Sequence, residues 1–428
     1  MKNITAKIQG GQIPQGKVKV SGAKNSATRL LAASLISDGT VLLENFPTEL
    51  VDANYKMEFI RACGGEVTVD SDSETVEIKP ENLKDLTLSS YDYPIRTTYL
   101  LVAGLIKRNG IARIPYPGGC KIGTRGYDLH IMVWENLGAT VEEKPDYIEV
   151  KATDGFKEGH IDFPISTIGG TENALICAST IEGRTTVKNA YISPEVQDLI
   201  MFLRTMGVKI NVVGNSFIEI FGKKNLKGTI YEVISDRIEA LTWIVYGILS
   251  GGNLIIEDVP FETMEIPLKH LEEAGIDFYR NKKNVHINPD CLINGVIQPF
   301  ELATGTHPGI ISDMQPFYVL LGLHADGISR IFDYRYPERI KYCEELAKLY
   351  PNMLKWEKGA ITTFGKHNIS PNASKVESTD LRGSMALVIG ALLSPGETEI
   401  SNVEMALRGY NKLEQKLSKL GVRIEFLK

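Results

Sequence analysis

Residues 21–79 read SGAKNSATRLLAASLISDGTVLLENFPTELVDANYKMEFIRACGGEVTVDSDSETVEIK, and the order of signals along this stretch decides the fold. Residues 26–36 are rich in Ala and Leu, strong helix formers, and stop at Asp38-Gly39, a turn signal. Residues 40–46, TVLLENF, carry the composition of a short strand. Residues 51–65 predict an amphipathic helix that ends at Gly64-Gly65. Residues 66–79 then alternate apolar and polar side chains on both sides of an Asp/Ser turn, the pattern of a β-hairpin.

The same succession recurs with a period of roughly 60–70 residues, the size of one small α/β unit. A second copy starts at Tyr93-Pro-Ile-Arg96 and runs through TTYLLVAGLI, GIARIPY and LHIMVWENLGA to TVEEKPDYIEVKA. A third runs from Ser166 to VKINVVGNSFIEIFG, and a fourth from Ser235-Asp-Arg237 to IDFYRNKKNVHIN. The fifth starts at Ser312-Asp-Met-Gln315, and its second half, IKYCEELAKLYPNM, is the least regular. The sixth runs from Thr379-Asp-Leu-Arg382 to VRIEFLK. Two helices on one sheet face cannot bury that face alone, so units must pack on one another. Six units divide into two domains of three, an α/β (α+β) chain. The expected first domain is 22–230. The second is 231–428 joined by residues 1–21, whose strand-rich sequence can pair with the C-terminal strands.

The chain has 428 residues, more than one core ordinarily holds. Hydrophobic residues are 43% and charged residues 23%, an ordinary globular composition. The formal net charge of −6 argues against a broad nucleic-acid-binding face. No apolar run reaches membrane-spanning length, and MKNITAKIQGGQIPQGK lacks the core of a signal peptide, so a cytoplasmic protein is expected. The cysteines at 63, 120, 177, 291 and 343 are scattered, which fits free thiols in a reducing compartment. Neither they nor the seven histidines have metal-ligand spacing, and no GxGxxG or P-loop is present. No cofactor or metal is expected.

The repeat shows where residues depart from fold-building. The segment before each first helix carries Lys24 and Asn25, Arg96, Thr171 and Glu172, Asp236 with Arg237 and Glu239, Asp313 with Gln315, and Asp380 with Arg382. The loop after the following strand carries Cys120 and Arg125, Glu195, Glu262, Arg335 and Arg408. Equivalent units would gather these at one end of each domain, where helix N-termini favour anions. The plain reading of each Asp is an N-cap, and Asp236, Arg237 and Glu239 on one turn read as a solvated ion cluster. Caps do not explain the Arg and Lys at the same positions. The loop PYPGGCKIGTRGYDLH is the sharpest signal: Cys120 lies among Lys121, Arg125 and glycine-rich backbone, surroundings that favour a reactive thiolate.

The segments SGAKNSA, PYPGGCKIGTRGYDLHI, STIGGTENAL, SDRIEA, SDMQ, DYRY, TDLRGSMALVI and LRGY resemble those of the UDP-N-acetylglucosamine 1-carboxyvinyltransferases, in that family's order and over nearly the whole chain. The wider superfamily is that of the enolpyruvyl transferases, with 5-enolpyruvylshikimate-3-phosphate synthase, which lacks the cysteine loop. The resemblance implies a two-domain inside-out α/β barrel of six βαβαββ units with the active site between the domains. It implies transfer of the carboxyvinyl group of phosphoenolpyruvate to the 3-hydroxyl of the sugar nucleotide, the first committed step of peptidoglycan precursor synthesis, and sensitivity to fosfomycin. It also implies roles. Asp313 would be the general base and Cys120 the general acid. Lys24, Arg125 and Arg408 would hold phosphate, and Arg96, Arg335 and Arg382 would complete the anion site. Asn25 would contact the sugar. Asp128, Leu129, Thr167, Ile168 and Gly169 would line the nucleotide end, and Asp380 would help close the site.

Some positions depart from the family. Gly126 and Tyr127 replace a Pro-Val pair, Ser193 stands where a Glu is usual, and Met405-Ala-Leu407 replaces His-Ile-Asp. These changes lie on the acceptor side and leave two alternatives. One is a paralogue acting on another nucleotide or sugar nucleotide in secondary metabolism. The other is a non-catalytic ligand-binding relative.

Overall fold

The computed structural model describes residues 4–84, 97–116 and 126–427. Its contacts divide the chain into two compact units: residues 22–234, and residues 235–427 with the N-terminal segment up to Ser21. The change of unit falls at 234/235 because the strand Thr229–Glu232 pairs in parallel with Val41–Glu44 in the first unit's sheet.

Residues 160–222 show the βαβαββ pattern most completely. Strand His160–Thr167 leads into helix Ile168–Ser179, strand Gly183–Ala190, helix Pro194–Thr205 and the hairpin Lys209–Val213/Phe217–Gly222. The first two strands are parallel, as a helical crossover requires, and the hairpin adds antiparallel strands. Six sheets repeat this scheme among the described residues, five of four strands and one of three. The fifth copy was expected to be the least regular in its second half. The structure corrects this: helix Lys341–Leu349 and the hairpin Leu354–Glu357/Ala360–Phe364 are fully formed. In the second copy, the segment TTYLLVAGLI opens as a 3-10 turn, Thr97–Leu101, before helix Val102–Asn109.

Two chain segments complete sheets far from themselves. Gln15–Lys19 is the parallel lead strand beside Asn253–Glu257. Thr5–Gln9 lies antiparallel between Glu397–Ser401 and Glu425–Leu427, supplying the strand that the sixth copy lacks.

Burial separates the helices into two kinds. Helix Arg237–Ser250 is buried on every side from Arg237 to Ile248, and Leu381–Leu393 and Gln315–His324 are buried almost throughout. These three touch one another pairwise, so helices occupy the interior and sheets the outside. The second helices are amphipathic; Lys341–Leu349 buries Tyr342, Cys343, Leu346 and Leu349 and exposes the rest of its surface. Just past each second helix the backbone turns left-handed at one residue: Gly64, Gly138, Gly207, Gly275 and Gly421, with Asn352 (φ 62°) at the fifth. Glycine adopts this conformation freely and asparagine is the next most tolerant, which is why the Gly mark is missing from the fifth copy.

Candidate functional site

The expected site residues fall in both units, and each set is built locally. In the unit containing 235–427, Asp236 and Asp380 are N-caps, as their positions predict. Asp236 accepts from the backbone N–H of Ile238 and Glu239 at 2.8 and 3.1 Å. Asp380 accepts from those of Arg382 and Gly383, both at 3.1 Å. Burial pushes the Asp236 carboxyl above the ordinary aspartate range, against the pull of Arg382.

Asp313 is not a cap. It sits in the 3-10 turn Ser312–Met314, with its side chain 29% exposed and its carboxylate between two buried guanidiniums. Arg339 Nη1 donates to Oδ1 at 2.5 Å, and Arg382 Nε lies 3.5 Å from Oδ2. Arg339 also reaches Asp380 Oδ1 at 3.3 Å and Ser312 Oγ at 3.5 Å. Arg382 is 1% exposed, lies over the Tyr410 ring at 5.2 Å, and has its Nη2 3.9 Å from Asp236. Among the described residues no nitrogen of its guanidinium meets hydrogen-bond geometry. Burial alone would lower the pKa of both arginines. The carboxylates around them, with the Tyr410 phenol for Arg382, reverse the sign and keep both charged.

Asp333, buried, ties the next loop down: it takes Ser312 Oγ and Gln315 Nε2 on Oδ2 and the backbone N–H groups of Arg335 and Tyr336 on Oδ1. Arg408 ends helix Glu404–Leu407 at 3% exposure, its Nη1 3.8 Å from the sulfur of Met405, one of the residues that depart from the family. The expected solvated cluster at Asp236, Arg237 and Glu239 is corrected. All three are buried, and Glu239 accepts from the Ser21 N–H, Trp243 Nε1 and Lys416 Nζ.

In the unit spanning 22–234, Lys24 and Asn25 open helix Lys24–Ser34 half-buried, with Lys24 Nζ 3.0 Å from Asp52. One turn on, Arg29 Nε reaches both oxygens of Glu172 at 3.0 Å. Lys56, fully buried, donates to the Thr28 carbonyl at 2.7 Å, and burial holds its pKa well below the usual lysine range. Asp198 receives Ser26 Oγ and, at 2.7 Å, Tyr231 OH. Thr171 and Glu172, expected in a loop, are buried within helix Ile168–Ser179.

At the expected nucleotide end, Thr167 caps that helix through Gly170 N–H at 3.3 Å, and Ile168 and Gly169 form its first turn. A Cβ on Gly169 would stand 3.2 Å from the His130 ring. Asp128 and Leu129 begin helix Asp128–Asn136, Asp128 exposed and Leu129 packed on the core. The carboxylate of Asp128 folds back over Gly126, where a Cβ would come within 2.2 Å of Oδ1. The family's proline would therefore displace it. Tyr127 packs near Tyr116 and Tyr99 and donates to Glu143 at 2.6 Å, a bond that pushes its ionisation up to about 12. Ser193 is the N-cap of helix Pro194–Thr205, accepting from Val196 N–H at 3.3 Å. Cys63, Cys177, Cys291 and Cys343 are buried free thiols. Arg96, Cys120 and Arg125 lie outside the described residues. Among the described residues no cluster of His, Cys, Asp or Glu is placed to hold a metal, and no helix is long and apolar enough to cross a membrane.

Sequence reading missed Arg339, Asp333, Asp52, Lys56 and Asp198. For Arg339, Asp52, Lys56 and Asp198 the partners are far away in the chain, so spacing carries no trace of them. Arg339 alone had a signal, a second arginine four residues after Arg335 in the same loop.

The chain belongs to the EPSP synthase (3-phosphoshikimate 1-carboxyvinyltransferase) family, whose model matches residues 7–417. The UDP-N-acetylglucosamine 1-carboxyvinyltransferase of Beijerinckia indica is 34% identical to it over 98% of each chain. Among solved structures, the enolpyruvyl transferase NikO from Streptomyces tendae superposes with a TM-score of 0.86 at 24% identity over 99% of each chain. An EPSP synthase from Acinetobacter baumannii does so at 0.77 and 18%, over the whole of both chains. Those two likenesses bear on the fold, the two-domain α/β barrel with helices inside.

Proposed function

We propose that the protein transfers the enolpyruvyl group of phosphoenolpyruvate to the 3-hydroxyl of UDP-N-acetylglucosamine and releases phosphate, the entry to peptidoglycan precursor synthesis. The observation that carries this is the 34% identity, spread over 98% of both chains, to an enzyme so named. The reaction needs a base for the acceptor hydroxyl, an acid for C3 of phosphoenolpyruvate, and cations for phosphate and carboxylate. Asp313, whose side chain is 29% exposed, takes the hydroxyl proton as oxygen attacks C2. Cys120 protonates C3. The tetrahedral adduct then collapses with loss of phosphate, which Lys24, Arg125 and Arg408 hold. Arg96, Arg335 and Arg382 complete the anion site, and Asp380 helps close it. Asn25 contacts the sugar, and Asp128, Leu129, Thr167, Ile168 and Gly169 line the nucleotide end. The enzyme is cytoplasmic and needs no cofactor.

Gly126 and the Tyr127–Glu143 bond favour one competing reading, a different nucleotide acceptor, because they reshape the turn that carries Asp128. Phosphate release from phosphoenolpyruvate, measured with UDP-N-acetylglucosamine, other UDP-sugars, UMP and shikimate 3-phosphate in turn, decides it. Highest kcat/KM with UDP-N-acetylglucosamine is expected. A higher value with another acceptor overturns the substrate assignment, and no release with any acceptor overturns the enzyme.

A further inference from the structure

We propose that Arg339 is a positioning residue for the reaction, holding the Asp313 carboxylate in the orientation from which it receives the acceptor's proton. The proposal rests on the role given to Asp313 above. Asp313 projects from a single 3-10 turn rather than from the helix N-cap position that Asp236 and Asp380 hold. A short side chain in that setting can rotate unless other side chains hold it. Among the described residues the guanidiniums of Arg339 and Arg382 face it. Arg382 stands off at 3.5 Å without a hydrogen bond, whereas Arg339 makes a charge-assisted bond at 2.5 Å.

Arg339 can act as a brace because it is itself fixed. It is 3% exposed, and its second terminal nitrogen goes to Asp380 Oδ1, the same oxygen that caps helix Leu381–Leu393. The connection therefore runs from a helix N-terminus through Asp380 and the rigid guanidinium fork to Asp313. A planar fork can span two carboxylates at once; an ammonium is a single point of charge on a flexible stem. The hydroxyl of Ser312, one residue before the carboxylate, lies 3.5 Å from the same Arg339 nitrogen, so two side chains of the turn are braced together.

The test compares Arg339→Gln and Arg339→Lys, each alone and combined with Asp313→Ala, by phosphate release with saturating phosphoenolpyruvate and UDP-N-acetylglucosamine. Asp313→Ala is expected to lose about 10²–10⁴ in kcat. A misplaced reacting group costs about 10²-fold, so Arg339→Gln should lower kcat by that order while KM for both substrates stays within about twofold. Arg339→Lys keeps the charge and loses the fork, and should remain within about tenfold of the glutamine variant. In the Asp313→Ala background, Arg339→Gln should cost less than about twofold more, because both changes remove the same interaction. Arg339→Gln with wild-type kcat, the same hundredfold loss in the Asp313→Ala background, or full activity in Arg339→Lys would each overturn the proposal. Wild-type turnover in Asp313→Ala would instead remove the base assignment beneath it. Should the glutamine variant not fold, the lysine variant and its double mutant give the same comparison.

Discussion

Asp198 makes the stability of the 22–234 unit depend on pH in an unusual direction. Its carboxyl is 3% exposed, and burial pushes its pKa from 3.8 to about 6, with Ser26 and Tyr231 pulling the other way through hydrogen bonds. The folded state thus binds this proton more tightly than the unfolded chain. The stability it contributes is complete below the unfolded value and is lost as pH rises through about 6. A shift from 3.8 to about 6 is worth about 3 kcal/mol at about 1.4 kcal/mol per unit. With a urea m-value of about 2 kcal/mol/M, that is about 1.5 M in midpoint. Trp134 lies in this unit, so a protein with Trp243 and Trp356 changed to Phe reports its unfolding by fluorescence. Asp198→Asn removes the titration while keeping the shape. The stability difference, wild type minus variant, should fall by about 2.4 kcal/mol between pH 4 and pH 7. A difference that stays level across that range would refute the reasoning.

Two further expectations concern other parts of the molecule. Cys120→Ser should lower turnover by about 10²–10⁴ if the thiol is the proton donor, measured by phosphate release, and fosfomycin should add its mass to the wild-type protein but not to this variant. Deleting residues 1–10 removes the strand Thr5–Gln9, which buries Ala6 and Ile8 completely. At about 1.5–3 kcal/mol for each large apolar side chain, with the lost strand pairing added, the 235–427 unit should unfold at least about 2 kcal/mol more easily, read from Trp243 fluorescence.

The repeat was legible because its marks are local: an Ala/Leu helix, a left-handed residue such as Gly64, an alternating hairpin. The second half of the fifth copy read as the least regular because Asn352 stands where the other copies have Gly. The lead strands were harder to read. Thr229–Glu232 and Lys375–Glu377 are short, and their parallel partners lie a crossover or a whole unit away. In the site, the caps Asp236 and Asp380 could be read from position alone. The burial of Glu239 could not, since its partners Ser21 and Lys416 come from opposite ends of the chain. Arg339 was hidden for the same reason: its importance lies in touching Asp313 and Asp380 together, and neither is its neighbour in sequence.

The strand Thr5–Gln9 also has a consequence for synthesis. It leaves the ribosome long before its two neighbours, Glu397–Ser401 and Glu425–Leu427. At roughly 5–20 residues per second, about 20–80 s separate the appearance of the strand from that of its final partner. Through that interval Ala6 and Ile8 wait without their sheet, while residues 22–234 have already emerged. The sheet that holds Thr5–Gln9 is therefore completed after residues 22–234 have emerged, and this strand is the segment for a holding chaperone to cover.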